Sequence, residues 1–180
     1  MIQGNVIPRY LDWSLIRCGE YQLRGEGQVL ATLQITDELD ASLTRESESR
    51  RWTFKRTGLL RFSVSVLDEC AGKDCATLVE GRAGECQTMF PGGPSLRWKQ
   101  IRTRWREEWG LFDSTNATLI AFAPQVKDSE CRASVRVTAA GRAMPNLDLL
   151  MLLSWYLLVV KVQDEAWKSA IIMATAWGAT

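Results

Sequence analysis

Apolar and polar residues alternate with a period of two along most of this chain. Val29, Ala31, Leu33 and Ile35 are each flanked by more polar neighbours, the pattern of a half-buried strand. A shorter run at 20–24 precedes them, and Gly25 and Gly27 lie between. Two such runs around a glycine turn read as a hairpin. Residues 37–40 have turn composition, and 41–47 predicts another short strand. The middle of the chain repeats the pattern most clearly. Trp52 and Phe54 share one side, opposite Arg51, Thr53 and Lys55; beyond Thr57-Gly58, Leu60, Phe62, Val64 and Val66 oppose Arg61, Ser63 and Ser65. Successive side chains of a strand point to opposite faces, whereas a helix repeats near 3.6.

Shorter strands are expected at 75–81 and 85–90, separated by Gly81 and Gly84, and the run Pro91-Gly92-Gly93-Pro94 is a break. Leu96, Trp98 and Gln100 then oppose Arg97, Lys99 and Ile101. The segment 104–111 continues with Trp105, Glu107 and Trp109 on one side. After a turn at 113–116, residues 118–123 predict a strand that Pro124 ends. Ala133, Val135 and Val137 alternate with Arg132, Ser134 and Arg136 in the last strand.

Past Pro145 and Asn146 the period changes. Residues 147–160 contain one charge, Asp148, and one other polar residue, Ser154. A helix apolar on every side must be buried all round. At about 1.5 Å per residue it is roughly 21 Å long, short of the ~20 residues that cross a bilayer. Asn146 fits an N-cap, with Asp148 in the first turn facing the positive end of the helix dipole. Short strands at spacings of 8–12 residues suggest a barrel or sandwich. The expected architecture is therefore mainly β: a closed antiparallel barrel of about twelve short strands around a buried hydrophobic C-terminal helix. It forms one domain over 1–180, with the barrel at about 20–138, the helix at about 146–161 and an extension at 163–180. The apolar stretch 170–177 in that extension is too short to span a membrane.

Composition narrows the chemistry. The 22 basic and 21 acidic residues leave a net charge of +1, so no global field favours nucleic acid or a membrane. Histidine is absent, which removes Ser-His-Asp and Cys-His catalysis, histidine-ligated metals and histidine pH switching together. The five cysteines, Cys18, Cys70, Cys75, Cys86 and Cys131, lack paired zinc spacing, and residues 1–10 lack the apolar core of a signal peptide. Both features point to a reducing cytosol, with a facultative Cys70–Cys75 disulfide as the alternative to inert thiols. No metal or other cofactor is expected. The eight tryptophans supply large apolar area, and Trp52, Trp98, Trp105 and Trp109 fall on inward positions.

The order of parts resembles the tubby C-terminal-like superfamily, which includes the tubby domain, the phospholipid scramblases and the LURP-one-related proteins, and is closest in flavour to its small bacterial members. The likeness rests on many short strands followed by one apolar helix, on Arg51-Trp52-Thr53-Phe54-Lys55-Arg56, on Glu108-Trp109-Gly110-Leu111-Phe112-Asp113 and on 149–160 with Trp155-Tyr156. It covers about 20–162. It implies a barrel enclosing the helix and, from several members, recognition of phosphoinositide headgroups. The extension 163–180 is not part of that pattern, and a scramblase-type acidic calcium cluster is missing, so scrambling is not implied.

Two segments are locally basic. Arg50, Arg51, Lys55, Arg56 and Arg61 fall together without an intervening acid, as do Arg97, Lys99, Arg102, Arg104 and Arg106. If their strands adjoin, the outer wall carries a basic strip able to hold phosphates, with Arg51, Lys55, Arg56, Arg97, Lys99, Arg102 and Arg104 as its candidates. The competing reading is an ordinary solvated outer face. Adjacent carboxylates such as Glu107 and Glu108 point to opposite faces and form no acid/base pair. The expected function is a non-enzymatic binding module for anionic phospholipid headgroups, cytoplasmic and peripheral to the membrane, not transmembrane. The alternative is a structural or interaction protein that oligomerises through 163–180.

Overall fold

The period-two segments become strands because each can bury one face and leave the other in water. The computed structural model describes residues 10–17, 19–36, 41–45, 50–58, 62–81, 84–102, 107–127 and 130–161. Among them twelve strands follow one another: β1 (Tyr10–Arg17), β2 (Glu20–Gly25), β3 (Gln28–Ile35), β4 (Ala41–Arg45), β5 (Arg50–Thr57), β6 (Ser63–Asp68), β7 (Lys73–Glu80), β8 (Cys86–Met89), β9 (Leu96–Arg102), β10 (Glu107–Phe112), β11 (Thr118–Lys127) and β12 (Glu130–Val137). Every consecutive pair is antiparallel, and β1 pairs with both β2 and β12. The strand order, β1-β12-β11-β10-β9-β8-β7-β6-β5-β4-β3-β2, is that of a closed barrel. Such a ring leaves no edge with unpaired backbone groups.

Alternation assigns the faces. Trp52 and Phe54 on β5, Val64 and Val66 on β6, Ala76 and Leu78 on β7, and Leu96 and Trp98 on β9 are all buried inward. Two expectations need correction. The barrel begins at Tyr10, not near residue 20: β1 buries Leu11 and Trp13 and closes the ring between β12 and β2. Its alternation is blurred by the consecutive apolar pair Leu15-Ile16, whose second member points to solvent. Nor does Pro124 end its strand. It lies opposite Ala133, and pairing continues to Lys127 opposite Glu130. Proline only removes one donor, which a ladder survives where that N–H is not required.

The chain leaves β12 through Thr138, whose hydroxyl donates to the Thr118 and Leu119 carbonyls and accepts from the Gly141 N–H. This caps a single helical turn, α1 (Ala139–Arg142). Gly141 is required by space, since a Cβ there would lie 2.2 Å from the Leu119 carbonyl oxygen. Asn146 then adopts φ 58° and its carbonyl accepts from the Leu150 N–H, so it caps with its backbone in a left-handed conformation. The chain is helical over 147–161, here α2.

Every residue from 147 to 160 except Asp148 is buried. Trp155 stacks on Trp13 of β1 at 4.9 Å and meets Tyr21 of β2 edge-on, while Tyr156 stacks on Phe54 of β5 at 5.2 Å. Those strands lie in different parts of the ring, so α2 runs between walls. Its described length of about 22 Å matches the height of eight-residue strands tilted by about 40°. Among the described residues no helix is long and apolar enough to cross a membrane. At the far end of the lumen the Lys161 ammonium meets the Glu80 carboxylate at 3.0 Å. Gly84, at φ 75°, sits close enough that a Cβ would lie 2.8 Å from the Lys161 nitrogen.

Candidate anion site on the outer wall

The two basic groups fall on β5 and β9, with β6, β7 and β8 between them. The conditional basic strip is therefore not formed. Four strand spacings of about 4.8 Å separate them by roughly 19 Å, and four of twelve strands span about a third of the circumference. No single headgroup can touch both. The meander connectivity is the cause: β5 to β9 follow one another in space as in sequence, and the two basic segments, 50–61 and 97–106, have 35 residues between them.

On β5, Arg51 and Lys55 point outward and are exposed. Arg51 is engaged by the Glu69 carboxylate at 3.8 Å, which also accepts from the Thr53 hydroxyl. Arg56 belongs to the other face. It shares the parity of Trp52 and Phe54, and its guanidinium lies 4.7 Å over the Phe62 ring at the far rim. At the opposite end of β5, Arg50 pairs with the buried Asp68 at 3.0 Å and covers Trp52. Burial would raise the Asp68 carboxyl, but the Ala71 N–H, the Arg50 guanidinium and the Cys70 N–H together hold it below its ordinary value. These contacts close the rim.

On β9 the geometry is different. Arg97 and Lys99 both point outward, and both donate to one acceptor, the Asn116 Oδ1, at 3.4 and 2.8 Å. The two cationic nitrogens are thus within about 6 Å of each other, a span that one phosphate can bridge with two hydrogen bonds. The Lys99 ammonium also sits 4.6 Å over the Phe112 ring. Asn116 is placed by its turn. The Asp113 carboxylate accepts from the Thr115 hydroxyl, the Thr115 N–H and the Ala117 N–H, and Asn116 takes φ 69°. The Thr115 hydroxyl and the Ala117 N–H keep Asp113 below the ordinary carboxylate range. Arg102 is at the far end of β9, opposite Glu107. Arg104, like Arg61, Arg106 and Trp105, lies outside the described residues, as does the extension 163–180.

The contribution of Asn116 and Asp113 is new relative to the basic pattern. The signal for it was the turn composition of 113–116, where Asx side chains fold onto nearby backbone. Trp98 and Trp109 stack at 4.3 Å as inward residues. Cys70, Cys75 and Cys86 are free thiols. Burial pushes Cys86 up to about 12 and raises Cys75 as well, which suppresses thiolate chemistry at both. Among the described residues no group of three or more Cys, Asp or Glu is arranged to hold a metal. No protein-family model, curated protein or solved structure matches this chain.

Proposed function

We propose that this chain is a non-enzymatic binding module, built as a tubby-like barrel, that takes an anionic phospholipid headgroup on its outer wall. It would work in the cytosol, at the membrane surface. Arg97 and Lys99 are its anchor. The observation that carries the reading is the convergence of both cations on the Asn116 oxygen. A phosphate oxygen in that place would keep both hydrogen bonds and add the attraction of opposite charges to them. Arg97 supplies a planar fork and Lys99 a compact point charge. The lumen is occupied by α2, so recognition by side chains falls to the outside of the wall.

Vesicle co-sedimentation at low salt tests this. The full chain is expected to pellet with phosphatidylserine or phosphoinositide vesicles and not with phosphatidylcholine alone. Arg97→Gln/Lys99→Gln should abolish the difference, whereas Lys55→Gln should leave it intact. Binding should weaken as salt shortens the screening length from about 30 Å at 0.01 M to about 8 Å at 0.15 M. Equal pelleting with neutral and anionic vesicles would end the proposal.

A further inference from the structure

The wall between the two basic strands has a composition of its own. Its outward positions are Ser63, Ser65 and Leu67 on β6, Cys75, Thr77 and Val79 on β7, and Gln87 and Met89 on β8. None is charged. Leu67, Val79 and Met89 are 36, 40 and 41% exposed, which makes them three of the four exposed large apolar residues among the described residues. The strand registers order these side chains into rows across the wall. One row runs Lys55, Ser65, Thr77, Met89; the next runs Thr57, Ser63, Val79, Gln87, Arg97. An uncharged, partly apolar band is thus bounded by Lys55 on one side and by Arg97 with Lys99 on the other.

Curvature decides what can use the whole band. Each step around a twelve-strand ring turns the outward direction by about 30°, so the two cationic borders face directions about 120° apart. A flat bilayer can meet one border but not both. A peptide that follows the curve can meet both. The path between borders is roughly 19 Å, about six extended residues at ~3.3 Å each. A second copy of the chain is disfavoured, because two copies of this wall would bring cationic borders together.

We infer that the outer wall from β5 to β9 is a docking surface for an extended peptide segment with acidic ends and an apolar centre. The carboxylates would meet Lys55 and the Arg97/Lys99 pair, and the apolar centre would cover Val79 and Met89. This goes beyond headgroup binding, since it uses Lys55, Val79 and Met89, which that reading leaves idle.

The test is selection from a displayed library of random peptides of about ten residues on the purified full chain. The expected outcome is enrichment of sequences carrying Asp or Glu on both sides of an apolar core. Their affinity should fall at least tenfold for Val79→Asp/Met89→Asp, the scale of losing central anchors, and severalfold for Lys55→Glu. Vesicle binding should be unchanged in all three substitutions. Thr77→Glu, a substitution on the middle strand β7 that removes no large apolar side chain, should weaken the peptides as well, and each variant is checked for an unaltered thermal transition. Enrichment without acidic residues, affinity indifferent to Val79, Met89 and Lys55, or no enrichment at all would each overturn the inference.

Discussion

Replacing Trp155 by alanine tests the central packing most directly. Its side chain is fully buried, lies parallel to Trp13 within 1° at 4.9 Å, and meets Tyr21 edge-on at 5.8 Å. A buried tryptophan removes about 150–250 Å² from water, which at ~25 cal/mol per Å² corresponds to roughly 4–6 kcal/mol. Large-to-small substitutions of this kind cost about 3–5 kcal/mol. The two ring contacts add about 0.5–1.5 kcal/mol each. Against a total stability of about 5–15 kcal/mol, Trp155→Ala should cost at least about 3 kcal/mol and approach the limit of folding. Trp155→Phe retains most of the ring area and discards an indole N–H for which no described protein group is the acceptor. Its cost should stay below about 1.5 kcal/mol.

Urea unfolding followed by far-ultraviolet circular dichroism reads both values, provided the m-value is unchanged. A cycle with Trp13→Ala should give a coupling of about 1 kcal/mol, because each substitution removes the same stacked contact. If Trp155→Ala costs less than about 1 kcal/mol, or the two substitutions add without coupling, then the helix is not enclosed as described.

Other perturbations probe separate parts. Glu80→Ala leaves the half-buried Lys161 ammonium without its counter-charge; the loss should be about 1–2 kcal/mol in thermal unfolding, between exposed and buried pairs, and Glu80→Ala/Lys161→Ala should cost less than the two singles added. Gly141→Ala places a methyl 2.2 Å from a backbone oxygen, so a loss of at least about 2 kcal/mol is expected, against a few tenths for Gly92→Ala beyond its left-handed strain. Asp68 has a depressed folded-state pKa. Its contribution is therefore present above its ordinary value near 3.8 and lost as pH falls through the lower folded value; Asp68→Asn should flatten the acid side of a stability–pH curve, and an unchanged curve would contradict the rim contacts.

Much of this architecture was legible because one rule governs both levels. A strand with one buried face must alternate, and Trp52, Phe54, Val64, Val66 and Trp98 do so without interruption. The apolar helix was legible for the opposite reason: 147–160 offers no polar face to water, so only enclosure satisfies it. Strand limits were less legible. Leu15-Ile16 and Pro124 are local exceptions that tertiary pairing overrides, since β1 and β11 each have partners on both sides. The candidate site was half legible. Cationic residues could be found by counting, but their separation depends on how many strands the meander inserts between them, which local pattern does not encode. The Asn116 contact depends on a turn folding back over β9, a relation between residues 97 and 116 that only the β9–β10–β11 registers create.

Those registers also explain why one basic segment makes a site and the other does not. On β5 three of the four cations find their own neighbours, Asp68 for Arg50, Glu69 for Arg51 and the Phe62 ring for Arg56, and Lys55 stays exposed as a single charge on the outer face. These contacts point in different directions and spend the charge on closing the two rims. On β9 the β10–β11 turn rises beside the strand and places a neutral amide oxygen between two outward cations. The acceptor between them is neutral, and the Asp113 carboxylate of the same turn acts on Arg97 only as the weakest of its interactions. That leaves a preorganised pair able to accept an anion, and Asn116→Asp should remove that capacity by supplying the anion from within. Vesicle binding by Asn116→Asp should fall to the level of Arg97→Gln/Lys99→Gln, while Asn116→Ala should retain most of it. Retention of vesicle binding by Asn116→Asp would mean that position 116 does not face the cationic pair.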